Sequence, residues 1–149
     1  MKGNVFQCHG ETPDKQQFTK TLGVLEEHIN KTFSYPKDVA SICKTFAMTP
    51  PEQPKNLEKK VYEEDMGAKL MWETKMKTYM KRLESVEANS RAIYAIVWGQ
   101  SSPLMQSKLE SLEEFPTKSA ACDCVWLLKE IRGITHKFLG DEKRLHLNR

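Results

Sequence analysis

Apolar residues recur along this chain with the period of an α-helix. Phe18, Leu22, Leu25, Ile29 and Phe33 are spaced by 4, 3, 4 and 4 residues, which lines one face of a helix that turns once every 3.6 residues. Thr12-Pro13 is the predicted start: Thr can cap, and Pro at the first helical position gives up an N–H that has no helical partner anyway. Ser34-Tyr35-Pro36 interrupts the pattern, and Val39, Ile42, Cys43 and Phe46 then predict a second, shorter helix. Ahead of both, Val5-Phe6-Gln7-Cys8 reads as a short extended lead-in with no strand to pair with. Prolines at 50, 51 and 54 cannot continue a helix and predict an extended linker near residue 50.

Beyond the linker, Asn56 is the predicted cap of a long helix reaching about residue 86. Its inward positions include Leu57 and Val61, followed by Trp72, Met76, Tyr79, Leu83 and Val86 at spacings of 4, 3, 4 and 3. That is a heptad seam two repeats long, shorter than the three or four repeats a coiled coil needs. Gly67 is expected to mark a bend, and Asn89-Ser90 to cap the next piece. The apolar run over residues 92–98 fits a buried strand or a buried helix by periodicity. It is read as helix because no other segment offers a strand to pair with it, and Gly99 ends it. Ser102-Pro103 starts a short helix carrying Leu104, Met105, Leu109 and Leu112, which Phe115-Pro116 breaks. A final helix over about residues 118–139 presents Leu127, Ile131, Ile134 and Phe138, widened by Trp126 and Leu128, with Gly140 at the left-handed C-cap. The pattern predicts an all-α fold, a small bundle of about five or six helices. Its divisions are an N-terminal helical segment over 1–49, a Pro-rich linker over 50–55, a helical core over 56–140 and a flexible tail over 141–149.

Composition leaves this picture in place. At 149 residues a folded chain hides roughly 70% of the surface its unfolded form exposes, so a core forms without staples. With 39% hydrophobic and 29% charged residues the chain is ordinary for a globular domain. Lys and Arg number 23 against 20 Asp and Glu, a net charge of +3 spread evenly along the chain, unlike a dedicated nucleic-acid clamp. The leading residues MKGNVFQCHGE hold no apolar stretch of signal-peptide length, so secretion is not expected. The seven apolar residues of 92–98 are too few to cross a bilayer, which takes about 20. Cysteines at 8, 43, 122 and 124 therefore read as free thiols in a reducing, cytoplasmic setting.

Candidate chemistry is sparse. The glycines are scattered and form no phosphate-binding loop, and neither a Gly-x-Ser-x-Gly elbow nor a His-Glu-x-x-His helix occurs. Cys122 and Cys124 are the one close thiol pair; on a helix they point about 200° apart and cannot grip one metal. They read as two helix thiols, one facing the core. Cys8-His9 is a weak pair, and a Cys nucleophile with His28, His136 or His146 as base is a pairing that any such composition offers. Glu63-Glu64-Asp65 and Glu113-Glu114 read as solvated acidic surface. Lys75, Lys77, Lys81 and Arg82 lie beside Glu73 and Glu84 and read as a mixed exposed face. Trp72, Trp98 and Trp126 sit among apolar neighbours and read as core rather than as base-stacking platforms. No catalytic residue, metal ligand or cofactor site is expected.

The stretch RAIYAIVWGQSSPLMQSKLESLEEFPTKSAACDCVWLLKEIRGITHKF, residues 91–138, resembles the Gag polyprotein of Copia-class LTR retrotransposons. The likeness rests on an upstream Trp in Met71-Trp72-Glu73, on the Ala-x-x-x-Ile helix from Ala92 to Ile96, and on Asp123-Cys124-Val125-Trp126-Leu127-Leu128-Lys129-Glu130-Ile131. KGNVFQCHGETPDKQQFTKTL and YPKDVASICKTF extend it over most of the chain. The resemblance implies an all-helical, capsid-type structural protein that is not an enzyme and that self-associates into shells around retroelement RNA. The chain departs from a full-length Gag in lacking a Cys-x2-Cys-x4-His-x4-Cys zinc knuckle, which puts RNA packaging by this chain in doubt and suits a truncated or degenerate copy. Leftover apolar surface on one helix is what recruits another copy in such a scheme. Trp72, Met76, Tyr79 and Leu83 are the candidate self-association seam, with Trp126 and Ile131 in the internal core. The alternative is a helical adaptor that presents the same stripe to a foreign partner helix. Neither reading calls for a membrane or a small-molecule substrate.

Overall fold

The structure, a computed structural model, describes residues 5–7 and 12–147, with side chains for 5–7 and 14–136. It is an all-α bundle. In chain order the helices are α1 (Thr12–Thr32), α2 (Lys37–Ala40), α3 (Ile42–Thr45), α4 (Lys59–Glu64), α5 (Met66–Gly99), α6 (Pro103–Glu110), α7 (Phe115–Ala120) and α8 (Cys124–Leu147). Two of them, α2 and α3, are single turns. No helix among the described residues is long and apolar enough to cross a membrane.

One apolar core joins both sides of the Pro-rich segment. It takes Phe18, Leu22, Leu25 and Ile29 from α1, Val39, Ile42 and Cys43 from α2 and α3, and Ile93, Tyr94 and Val97 from α5. Met105 and Leu109 of α6, Cys124, Trp126, Leu127, Leu128 and Ile131 of α8, and Phe6 ahead of α1 complete it. Burying each large aliphatic side chain contributes about 1.5–3 kcal/mol. The predicted stripes on α1 and α8 are therefore the surfaces that hold the bundle together. α8 packs on both α1 and α5, and α2 bridges α1 to α5. Phe138 of the predicted stripe and the His146 side chain lie outside the described side chains, as Cys8 and His9 lie outside the described residues.

The lead-in has a partner that the periodicity does not reveal. Phe6 is buried, its N–H donates to the Gln100 carbonyl at 2.7 Å, and the Ser102 N–H donates to the Phe6 carbonyl at 2.9 Å. These two bonds form a one-residue parallel bridge to Ser101. The Phe6 ring meets that of Phe18 at 5.7 Å.

Several boundaries differ from the sequence reading. The long helix breaks at Asp65, not Gly67, and Asn56 does not cap it; the Asp65 carboxylate accepts from the Ala68 N–H at 3.0 Å and caps α5. The helix then runs unbroken through Asn89 and Ser90. Ser90 folds its hydroxyl onto the Val86 carbonyl at 2.6 Å, and Asn89 donates to the Ser34 carbonyl at 2.9 Å, so neither side chain caps. The final helix starts at Cys124, because Asp123 accepts from the Trp126 N–H at 3.0 Å and caps it. At its other end α8 passes through Gly140 and continues to Leu147; glycine within a helix costs only about 1 kcal/mol relative to alanine.

Candidate functional site

The residues with chemical potential are dispersed or occupied. Among the described residues no group of three or more His, Cys, Asp or Glu side chains stands close enough to hold a metal ion. Cys122 is not helical: it occupies the turn after α7 with φ 51°, while Cys124 opens α8 and is buried. Burial pushes the Cys124 thiol up to about 12, with the Asp123 charge adding to it. Cys43 is likewise pushed up to about 12, by burial first and then by the charge of Glu26. Both are protonated at neutral pH, and the thiolate is the nucleophile. His28 stands edge-on to Phe33, and His136 lies edge-on to Phe18 with Nδ1 2.8 Å from the Arg132 carbonyl. Glu63 and Glu64 are exposed, Asp65 is a cap, and Glu114 accepts from the Trp126 indole N–H at 3.1 Å.

What the fold leaves unspent is apolar surface at one end. The buried residues of α5 are Ile93, Tyr94 and Val97, all in its last two turns. The remainder of this 34-residue helix, about 51 Å long at 1.5 Å per residue, carries no fully buried side chain. Along it Met66 is 71% exposed, Leu70 56%, Met71 62% and Met80 54%, with Tyr62 of α4 at 39%. Exposed apolar side chains gathered in this way mark interaction surfaces, and methionine adapts to varied partners.

The four residues of the predicted seam take different surroundings. Trp72 donates its indole N–H to the Lys55 carbonyl at 2.9 Å and meets the Tyr62 ring edge-on at 6.1 Å, so it pins the Pro-rich segment and α4 against α5. The Lys69 ammonium lies 4.7 Å above the same Tyr62 ring. Tyr79 borders a hollow shared with Glu52, Pro54 and Arg82. Leu83 is half-buried. Met76 and Trp72 both line the open groove, of about 380 Å³, with Glu73, Lys77, Met80 and Lys81.

Of the basic residues, Lys75, Lys77 and Lys81 are exposed, whereas Arg82 forms a two-pronged pair with the buried carboxylate of Asp38, its Nε donating at 3.0 Å. That bonding raises the Arg82 pKa and ties α5 to α2. The periodicity passed over Met66, Leu70 and Met80, although a signal was present. They belong to a second series, Met66, Leu70, Glu73, Lys77, Met80 and Glu84, spaced by 4, 3, 4, 3 and 4, whose two central members are charged and interrupt the stripe.

Comparison of the chain with protein-family models, with curated proteins and with solved structures finds no match.

Proposed function

We propose that this protein is a non-enzymatic structural protein that associates with copies of itself through the exposed face of α4 and the first part of α5. The resemblance to Copia-class Gag gives this association a capsid-type sense, with the helical bundle as the repeating unit of a larger assembly. The observation that carries the reading is the concentration of exposed methionine, leucine and tyrosine on that one arm. Apolar surface left in water is a standing driving force for association. Retroelement RNA stays outside the proposal, because a net charge of +3 spread evenly along the chain is a weak basis for gripping phosphates.

Light scattering coupled to size-exclusion chromatography, run across a wide concentration range and followed by negative-stain microscopy, tests this. The expected result is a mass that rises with concentration, with ordered particles at the upper end. A monomer at every concentration overturns it. A monomer that captures one stoichiometric foreign protein points instead to the adaptor reading.

A further inference from the structure

Met66, Leu70, Glu73, Lys77, Met80 and Glu84 all lie on α5, and their alternating spacing of 4 and 3 places them along one stripe of that helix. Five of the six are exposed and Glu73 is half-buried. The inner four positions have a symmetry of their own: apolar Leu70 and Met80, and the opposite charges Glu73 and Lys77, mirror about Lys75, whereas Met66 mirrors onto Glu84. Resting on the self-association reading above, we infer that this stripe pairs with the same stripe of a second copy, antiparallel and two-fold symmetric about Lys75.

The charges decide the direction. In a parallel, in-register pair each position faces itself, so Glu73 meets Glu73 and Lys77 meets Lys77, two repulsive layers at the centre of the contact. In the antiparallel pair Leu70 faces Met80 of the copy and Glu73 faces Lys77 of the copy. Two-fold symmetry makes each of these contacts twice. Met66 and Glu84 form the outer layers, and Met76, beside the stripe, approaches Met76 of the copy near the axis. The charges also decide the register. Sliding one helix by a heptad in one direction sets Glu73 against Glu84, and in the other it sets Leu70 against Glu73 and Met66 against Lys77, so that neither slide keeps the Glu73–Lys77 pairing of the central layers. Charged residues inside a helical seam lower its stability and in exchange select one register and orientation.

The test uses the full chain and charge reversal at the two central positions of the stripe. E73K makes the centre of the stripe wholly basic and K77E makes it wholly acidic. Each variant alone is expected to dimerise at least tenfold more weakly than the unaltered chain by analytical ultracentrifugation, and an equimolar mixture to recover dimer. Circular dichroism confirms that both remain folded. Orientation is read separately by oxidising a mixture of L70C and M80C chains and mapping the cross-linked peptides by mass spectrometry. A 70-to-80 cross-link supports the antiparallel pair, and a 70-to-70 cross-link overturns it. Unaltered chain that never leaves the monomer defeats self-association altogether. Unaltered chain that assembles while E73K and K77E assemble equally well defeats this stripe alone.

Discussion

Among the described residues, three other than glycine hold left-handed backbone: Tyr35 at φ 50°, Phe46 at φ 54° and Cys122 at φ 51°. Each follows a helix and turns the chain, a task usually given to glycine because a Cβ in this region costs about 1–2 kcal/mol. At Cys122 the turn is complete in both its bonds. The Cys122 N–H donates to the Ser119 carbonyl at 3.1 Å and the Asp123 N–H to the Lys118 carbonyl at 3.0 Å, the paired closure of a Schellman motif. Cys43 and Cys124 serve the core in a different way, as small buried side chains whose thiols are held protonated. Their ordinary value is 9.0 and their folded value about 12. The stability they contribute is therefore fully present below pH 9 and is lost as pH rises toward 12. Iodoacetamide at pH 8 is expected to spare Cys43 and Cys124 in the native chain and to label both in denaturant, as read by peptide mass mapping. The urea midpoint is expected to fall as pH climbs above 9. Rapid native labelling of either thiol would contradict its burial.

At the scale of elements, the starts of α5, α6 and α8 have one physical cause, a side-chain oxygen that accepts a backbone N–H at the first turn. Asp65, Ser102 and Asp123 do this at 3.0, 3.1 and 3.0 Å. Ser102-Pro103 was legible because Ser and Pro stand together at a start. Asp65 was not, since it closes the acidic run Glu63-Glu64-Asp65 and reads as surface charge. Asp123 was hidden between two cysteines, and with no glycine in the preceding turn the periodicity carried a single helix across the break. Asp123→Ala removes the α8 cap and leaves the Trp126 N–H without its acceptor. A loss of about 1 kcal/mol is expected, measured as a lower urea midpoint at an unchanged slope; no change would mean that the start of α8 is set by packing alone.

Across the whole molecule, the core is assembled from elements far apart in sequence, and the chain around Phe6 anchors in it. Phe6 closes the gap between the end of α5 and the start of α6, through its two backbone bonds and its ring contact with Phe18. Phe6→Ala is expected to cost about 3–5 kcal/mol in urea unfolding followed by circular dichroism. A loss below 1 kcal/mol would show the segment to be dispensable to the bundle. The all-α class, the stripes of α1 and α8, the absence of helix at the proline-rich segment and the helical state of residues 92–98 were readable from the chain, because a 3.6-residue period and the chemistry of Pro and Gly are local properties. Which apolar residues remain in water was not, because that depends on what the rest of the chain brings to each face. Trp72 and Tyr79 lie on a helical stripe like any core residue, and the Pro-rich segment comes back to border both. Met66, Leu70 and Met80 stay exposed, since the fully buried positions of α5 gather in its last two turns.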